Sequence, residues 1–249
     1  MEIVGTETQM ATIRLTPGVT VHAAPDMFYY STGLVQDTRH SDSLSATRLQ
    51  NDERVSLATF QAKKKDATLA LSPPTAGAKI LVLDLEDYGG TIIAGARNFV
   101  CTADDRVLVF GFTPGAGAAG TGDNVAAAIS SSSSSPKSSS SSSSSSSPQK
   151  ALLLQGNLRM QRIMGKGKVF LTAAGNPVQR TLMKDETLRV ATQHLAAYQF
   201  GMSLELQGLR GLGSVVTWGQ GVATLTGPGT VWMESTSSRG ASGGLLEKA

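Results

Sequence analysis

Two stretches in the C-terminal half of the chain share one pattern. Gly165-Lys166-Gly167-Lys168-Val169-Phe170-Leu171 is echoed by Gly227-Pro228-Gly229-Thr230-Val231-Trp232-Met233. In each, two glycines flank one residue and release the backbone for a tight turn, and a run of β-formers follows. Such punctuation suits short strands joined by turns and argues against long helices. Gly18, Gly165, Gly167, Gly227, Pro228 and Gly229 are therefore expected to be turn residues. Pro228 suits the second position of a type II turn and Gly229 its third.

Period-two alternation supports an all-β fold. Ile13, Leu15, Val19, Val21 and Ala23 fall on odd positions, with Thr12, Arg14, Thr20 and His22 between them. That pattern predicts a buried and a wet face, interrupted at Pro17-Gly18. Met202, Leu204 and Leu206 alternate with polar residues in the same way. Ile80–Leu85, apolar except for Asp84, and Val107–Phe112 are expected to be strands covered on both faces.

The segment from Leu182 to Tyr198 is ambiguous by itself, because Leu188, Ala191, Leu195 and Tyr198 have helical spacing after Asp185. An internal comparison decides against the helix. Val21 and Phe28, Ile92 and Phe99, and Leu188 and Leu195 are three apolar pairs, each seven residues apart. Pro25 lies inside the first interval and Gly95 inside the second, and neither suits a helix interior. All three copies are predicted to be strand–turn–strand, with Leu188 and Leu195 inward.

Residues 114–150 run through glycine and alanine into two serine tracts, Ser130–Ser135 and Ser138–Ser147. No apolar periodicity survives there to offset the entropy of ordering it. The expected organisation is a first half of a β domain (1–113), a disordered insertion (114–150), the second half of the same domain (151–236) and a flexible tail (237–249). Cys101 is the only cysteine, so an intrachain disulfide is impossible and the thiol reads as a small buried hydrophobe. No run approaches the roughly 18 apolar residues of a membrane span, and the N-terminus carries Glu2 and Glu7 before its first basic residue, Arg14. A cytoplasmic or other reducing compartment is the expectation.

The search for chemistry is negative. His22, His40 and His194 are widely separated, with no His-x-His pair of the kind that holds a metal in double-stranded β-helix enzymes. No nucleophile elbow is present, and Gly115–Gly122 lacks the Lys-Ser/Thr ending of a phosphate loop. No catalytic residue, metal or cofactor is expected. The formal charge of +3 and the cluster Lys63-Lys64-Lys65 are too little to predict a nucleic-acid partner. Phe28-Tyr29-Tyr30 differs from this background, being three consecutive aromatics in a chain with 5% aromatic content. On a strand they must alternate faces, so at least one is expected outside the core. Exposed aromatics suit an interface, and packing under a loop is the alternative.

Taken in order, Glu2-Ile3-Val4-Gly5 through Gln9-Met10, Leu15-Thr16-Pro17-Gly18, the two glycine-framed strands and Leu182–Tyr198 resemble the altered inheritance of mitochondria protein 24 family. The family's paired glycines before its late strands are replaced here by Gln155-Gly156-Asn157 and Trp218-Gly219-Gln220-Gly221. The resemblance implies an all-β fold, a double-stranded β-helix or β-sandwich of repeated units similar to the tryptophan RNA-binding attenuation protein class. It implies no enzyme activity, and in fungi an association with mitochondrial inner-membrane organisation, hence a mitochondrial alternative for location. The expected function is a non-enzymatic scaffold or assembly protein, a homo-oligomer with an unidentified protein partner. An RNA-binding module and a cupin-like small-molecule or metal-binding protein are the alternatives.

Loop-closure entropy grows only logarithmically with length. Replacing residues 114–150 by a short glycine linker should therefore leave the thermal midpoint nearly unchanged. A loss of several kcal/mol in chemical denaturation would show instead that the segment packs.

Overall fold

The computed structural model describes residues 1–33, 35–39, 55–112, 160–208 and 221–236. The expected insertion (114–150), the tail (237–249) and His40 lie outside the described residues. What is described is all-β with antiparallel sheets, broken only by short 3-10 turns.

After an opening strand β1 (Glu2–Val4), the strands form three units with one pairing plan. Unit one holds β2 (Met10–Leu15), β3 (Thr20–Ala23), β4 (Phe28–Thr32), β5 (Val35–Arg39), β6 (Ala58–Ala62) and β7 (Ala67–Leu71). Unit two holds β8 (Lys79–Asp84), β9 (Thr91–Gly95), β10 (Phe99–Thr102), β11 (Leu108–Phe112), β12 (Met160–Met164) and β13 (Lys168–Ala173). Unit three holds β14 (Pro177–Leu182), β15 (Thr187–Ala191), β16 (Leu195–Gln199), β17 (Ser203–Gly208), β18 (Gly221–Thr226) and β19 (Gly229–Glu234). In every unit the first and third strands flank the sixth, and the second and fourth flank the fifth. The segment between β11 and β12 therefore interrupts unit two, and the strands on either side of it pair with each other.

Units are joined where the second strand of one pairs with the third strand of the next. The first joint is β3 with β10, aligning Ala23 with Cys101 and His22 with Thr102. The second is β9 with β16, aligning Ala94 with Ala197, Ile93 with Tyr198 and Ile92 with Gln199. Each joint fuses two three-stranded halves into a six-stranded sheet, β5-β6-β3-β10-β13-β8 and β11-β12-β9-β16-β19-β14. The end halves stay separate, as β1-β2-β7-β4 and β15-β18-β17.

The repeat extends to irregularities. The three apolar pairs read from the sequence each span a strand, a short turn and a second strand, including Leu188 (half-buried) and Leu195 (buried). Immediately after each turn the register shifts, between Phe28 and Tyr30, Phe99 and Cys101, and Leu195 and Ala197. One residue is thus extruded at the same place in every copy, and a bulge of this kind bends the strand and increases its twist.

Packing does more than the ladders to hold the units together. Val100, Cys101, Ile80 and Phe170 of unit two enter the core built by Val21, Phe60, Leu69 and Leu71 of unit one. Ala197 and Trp232 of unit three enter the core of unit two. Full burial of a Val or Phe side chain contributes roughly 1.5–3 kcal/mol, against about 0.5–1.5 for a net backbone hydrogen bond. Side chains therefore outweigh the two- and three-residue ladders at the joints.

Three expectations need correction. Val19 is 38% exposed, because β3 begins only at Thr20 and Val19 still belongs to the turn at Gly18. The run Ile80–Leu85 is not covered on both faces: it builds β8, and Val82 there is 43% exposed, whereas Val107 and Val109 of the second run are buried and Leu108 and Phe110 half-buried. The type II turn at Gly227-Pro228-Gly229 is also overturned. Gly229 has φ +153°, far from the roughly +80° of that turn's third position. Gly229 is instead the first residue of β19, paired with Leu182.

A Cβ on Gly229 would sit 2.6 Å from Cγ and Sδ of buried Met202. Asparagine relieves strain near φ +57° but not here. Gly229→Asn and Gly229→Val should therefore destabilise alike, by about 1–3 kcal/mol in urea denaturation. A much milder asparagine variant would reinstate the turn explanation.

Candidate functional site

The aromatic run expected at an interface occupies β4. Phe28, Tyr29 and Tyr30 are 41%, 59% and 42% exposed. Phe28 stacks on Phe60 with centroids 5.7 Å apart, and Tyr29 and Tyr30 meet edge to face at 5.5 Å. The repeat supplies an internal control. The matching residues Phe99, Val100 and Cys101 in β10 are fully buried, and Leu195, Ala196 and Ala197 in β16 are buried too. Both inner copies have a neighbouring second strand against them, whereas β4 is an edge.

The matching vacancy is at the opposite end of the array. β15 is an edge strand, whereas its counterparts β3 and β9 lie inside six-stranded sheets. Its Val190 is buried, Leu188 and Ala191 are half-buried and Arg189 is exposed. Sequence reasoning singled out Phe28–Tyr30 but missed Leu188–Ala191 as a partner edge. The apolar spacing that set the repeat phase carried the signal, since it makes Val190 the counterpart of Ala23 and Ala94, each of which faces the third strand of the next unit.

The titratable groups serve local structure. His22 on β3 contacts Thr59 Oγ1 through Nδ1 at 3.2 Å and Asp105 Oδ1 through Nε2 at 2.8 Å. His194 contacts the Glu234 carbonyl through Nδ1 at 2.9 Å and Gln193 Nε2 through Nε2 at 3.3 Å. The buried Glu234 carboxylate accepts from the Ala174 backbone N–H at 2.9 Å and from Asn98 Nδ2 at 3.3 Å. Among the described residues, no three His, Cys, Asp or Glu side chains converge to hold a metal ion. Lys63–Lys65 are exposed in the turn between β6 and β7. A surface cleft of about 290 Å³ is lined by Met1, Glu2, Thr12, Arg14, Asp66, Ala67 and Thr68.

The glycine loop before β13 meets the turn before β11. Gly165 and Gly167 have φ +133° and +114°, and side chains there would run into the Arg106 carbonyl and the Asp104 carboxylate. Arg106 donates to Asp104 from Nε at 2.9 Å and from its second terminal nitrogen at 2.6 Å. Those side-chain bonds, then the backbone N–H of Arg106, hold the Asp104 carboxyl down to about 2. Its contribution to stability is present above the usual carboxylate range and fades as pH falls toward 2, and solvent screening keeps it small.

Burial pushes the Cys101 thiol well above its ordinary range. The folded chain keeps that proton where the unfolded chain releases it, near about pH 8.5. The thiol's contribution to stability is therefore whole below that pH and shrinks as pH rises above it. At pH 8 the native protein should react negligibly with a chromogenic disulfide reagent, and with one thiol per chain once denatured. Native reaction at the rate of a free cysteine would contradict the burial.

Comparison with known proteins agrees with this architecture. The chain is similar to the crystal structure of protein SPYM3_0169 from Streptococcus pyogenes, with TM-score 0.64 and 16% sequence identity over 95% of this chain and 93% of that one. At that identity the likeness is one of fold. No curated protein matches the chain. The model of a family described as mitochondrial biogenesis AIM24 matches residues 1–236, and the chain belongs to that family.

Proposed function

We propose that the protein is a non-enzymatic β-rich scaffold that works by binding copies of itself and, through them, protein partners. Its setting would be mitochondrial, in line with the family's description as one of mitochondrial biogenesis, and membrane organisation is the role the resemblance implies. One observation carries the reading. Phe28, Tyr29 and Tyr30 are exposed at a repeat position that is buried in both other copies. Large aromatics at a sheet edge are a feature of recognition surfaces, and an unpaired edge is a template for another chain. The finer architecture belongs to the same proposal: repeated strand–turn–strand units of the double-stranded β-helix kind, akin to the tryptophan RNA-binding attenuation protein class.

Light scattering on the purified full chain should give a mass that is a multiple of the chain mass at micromolar concentration. A mass equal to one chain at high concentration, with no protein recovered in a pull-down from the native cell, would overturn the reading. Salt-dependent RNA affinity near physiological ionic strength would favour a nucleic-acid module in its place. A stoichiometric transition metal in the purified protein would favour a cupin-like one.

A further inference from the structure

We propose that copies of this chain join head to tail, the β15 edge of one completing the sheet left open at β4 of the next. The inference rests on the self-association reading and specifies its surface. The two internal joints are its template. In both, the second strand of one unit pairs with the bulged third strand of the following unit. Among the described residues, the array ends with a third strand, β4, and a second strand, β15, that each lack a neighbour on one side. The half-sheets β15-β18-β17 and β1-β2-β7-β4 are thus the two parts that each internal joint fuses. Among the described residues no backbone pairing links β4 to β15 within one chain.

Repeat equivalence gives the register. Ala23 faces Cys101 and Ala94 faces Ala197, so Val190 is set opposite Tyr30. Arg189 then faces Ser31 and Leu188 faces Thr32. The residues that fall in line are complementary in volume. At the first joint Ala23 and Cys101 are followed across the sheet by Phe170, and at the second Ala94 and Ala197 are followed by Trp232. Each such row carries one aromatic ring, on the sixth strand. In the proposed joint, Val190 and Tyr30 are followed by Ala70. The ring has moved to the third strand, and the sixth strand has given up the same volume, the kind of exchange a packed core tolerates. On the other side, Val190 continues through Ala223 to Leu206, which is only half-buried.

The side chains agree with this row. Cys101 and Ala197 each pack into the core of the preceding unit, and Phe99 and Leu195 into their own. Phe28 already stacks on Phe60 of its own unit, and Tyr30 is left to enter the third unit of a neighbouring copy, beside Val190. The contact is heterologous, so repetition closes a ring or extends a filament, according to the rotation per copy.

Cross-linking of the full chain tests this. Cys101 is buried, so introduced cysteines dominate the reaction. Under mild oxidation, Tyr30→Cys mixed with Val190→Cys should form disulfide-linked pairs, while neither variant alone should do so. The chain carrying both substitutions should give a ladder of covalent multimers. Closure of that double variant on itself at single-chain mass would overturn the proposal. Efficient linking by Tyr30→Cys alone would do the same, by showing a face-to-face dimer. Separately, Tyr30→Lys should weaken self-association at least about tenfold without lowering the thermal midpoint of the dilute protein. Normal assembly by the lysine variant, with no mixed disulfide, would sink this joint and leave the self-association reading standing. A single-chain mass for the unmodified protein at high concentration would sink both.

Discussion

The structure depends on the bulged third strand of each unit. β10 and β16 pair on one side with the sixth strand of their own unit and on the other with the second strand of the unit before. A strand that serves two units must turn its side chains into two cores, and a regular period of two over so few residues would not do it. The register shift after Phe99 and after Leu195 supplies the bend. Phe99 packs in the core of its own unit, while Cys101 packs in that of unit one. The same division holds for Leu195 and Ala197.

Several hydrogen bonds near these joints tie distant segments together. The backbone N–H of Ser72 donates to the Met27 carbonyl at 2.8 Å, and that of Thr172 to the Asn98 carbonyl at 2.6 Å, the same bond in two copies. Met27, Asn98 and His194 hold one repeat position, and each environment uses its side chain differently. Met27 is fully buried in the first core. Asn98 donates to the Thr172 carbonyl and to Glu234 of unit three, and His194 reaches the Glu234 backbone. A histidine in such a place has structural work to do, and its chemistry follows from the backbone that faces it.

What the sequence shows and what it hides divide along physical lines. The odd-numbered apolar residues from Ile13 to Ala23 were legible because alternation within a strand is local, and only Val19, still in the turn, broke the rule. The seven-residue pairs were legible because the spacing of a strand, a turn and a strand is also local. Whether a strand is central or at an edge is set by partners far along the chain. The run at Ile80 looked doubly covered, yet Val82 is open to solvent, because what lies over a strand's face is also decided far along the chain. Gly229 was misread for the same reason. Its neighbour Met202 lies 27 positions away, and no turn rule contains it. Of the candidate surface, Phe28–Tyr30 stood out by composition, whereas β15 carries ordinary residues and acquires interest only through its place in the array.

A stack of repeated units that ends in solvent ordinarily ends in polar caps, because its last face has no neighbour to cover apolar side chains. The first end of this array is treated in two ways. β2 is covered by β1, whose Glu2, Ile3 and Val4 pair with Thr12, Ala11 and Met10, so the outer strand on that side is supplied by the chain itself. β4, two strands away in the same sheet, has no such cover among the described residues and carries the aromatic run. An aromatic ring held a third or more open to water forgoes much of the roughly 1.5–3 kcal/mol that full burial would contribute. The two edges of this one sheet therefore differ: a short strand of the chain itself lies along one, and three half-open rings lie along the other. That asymmetry within a single sheet is what the proposed joint between copies would use.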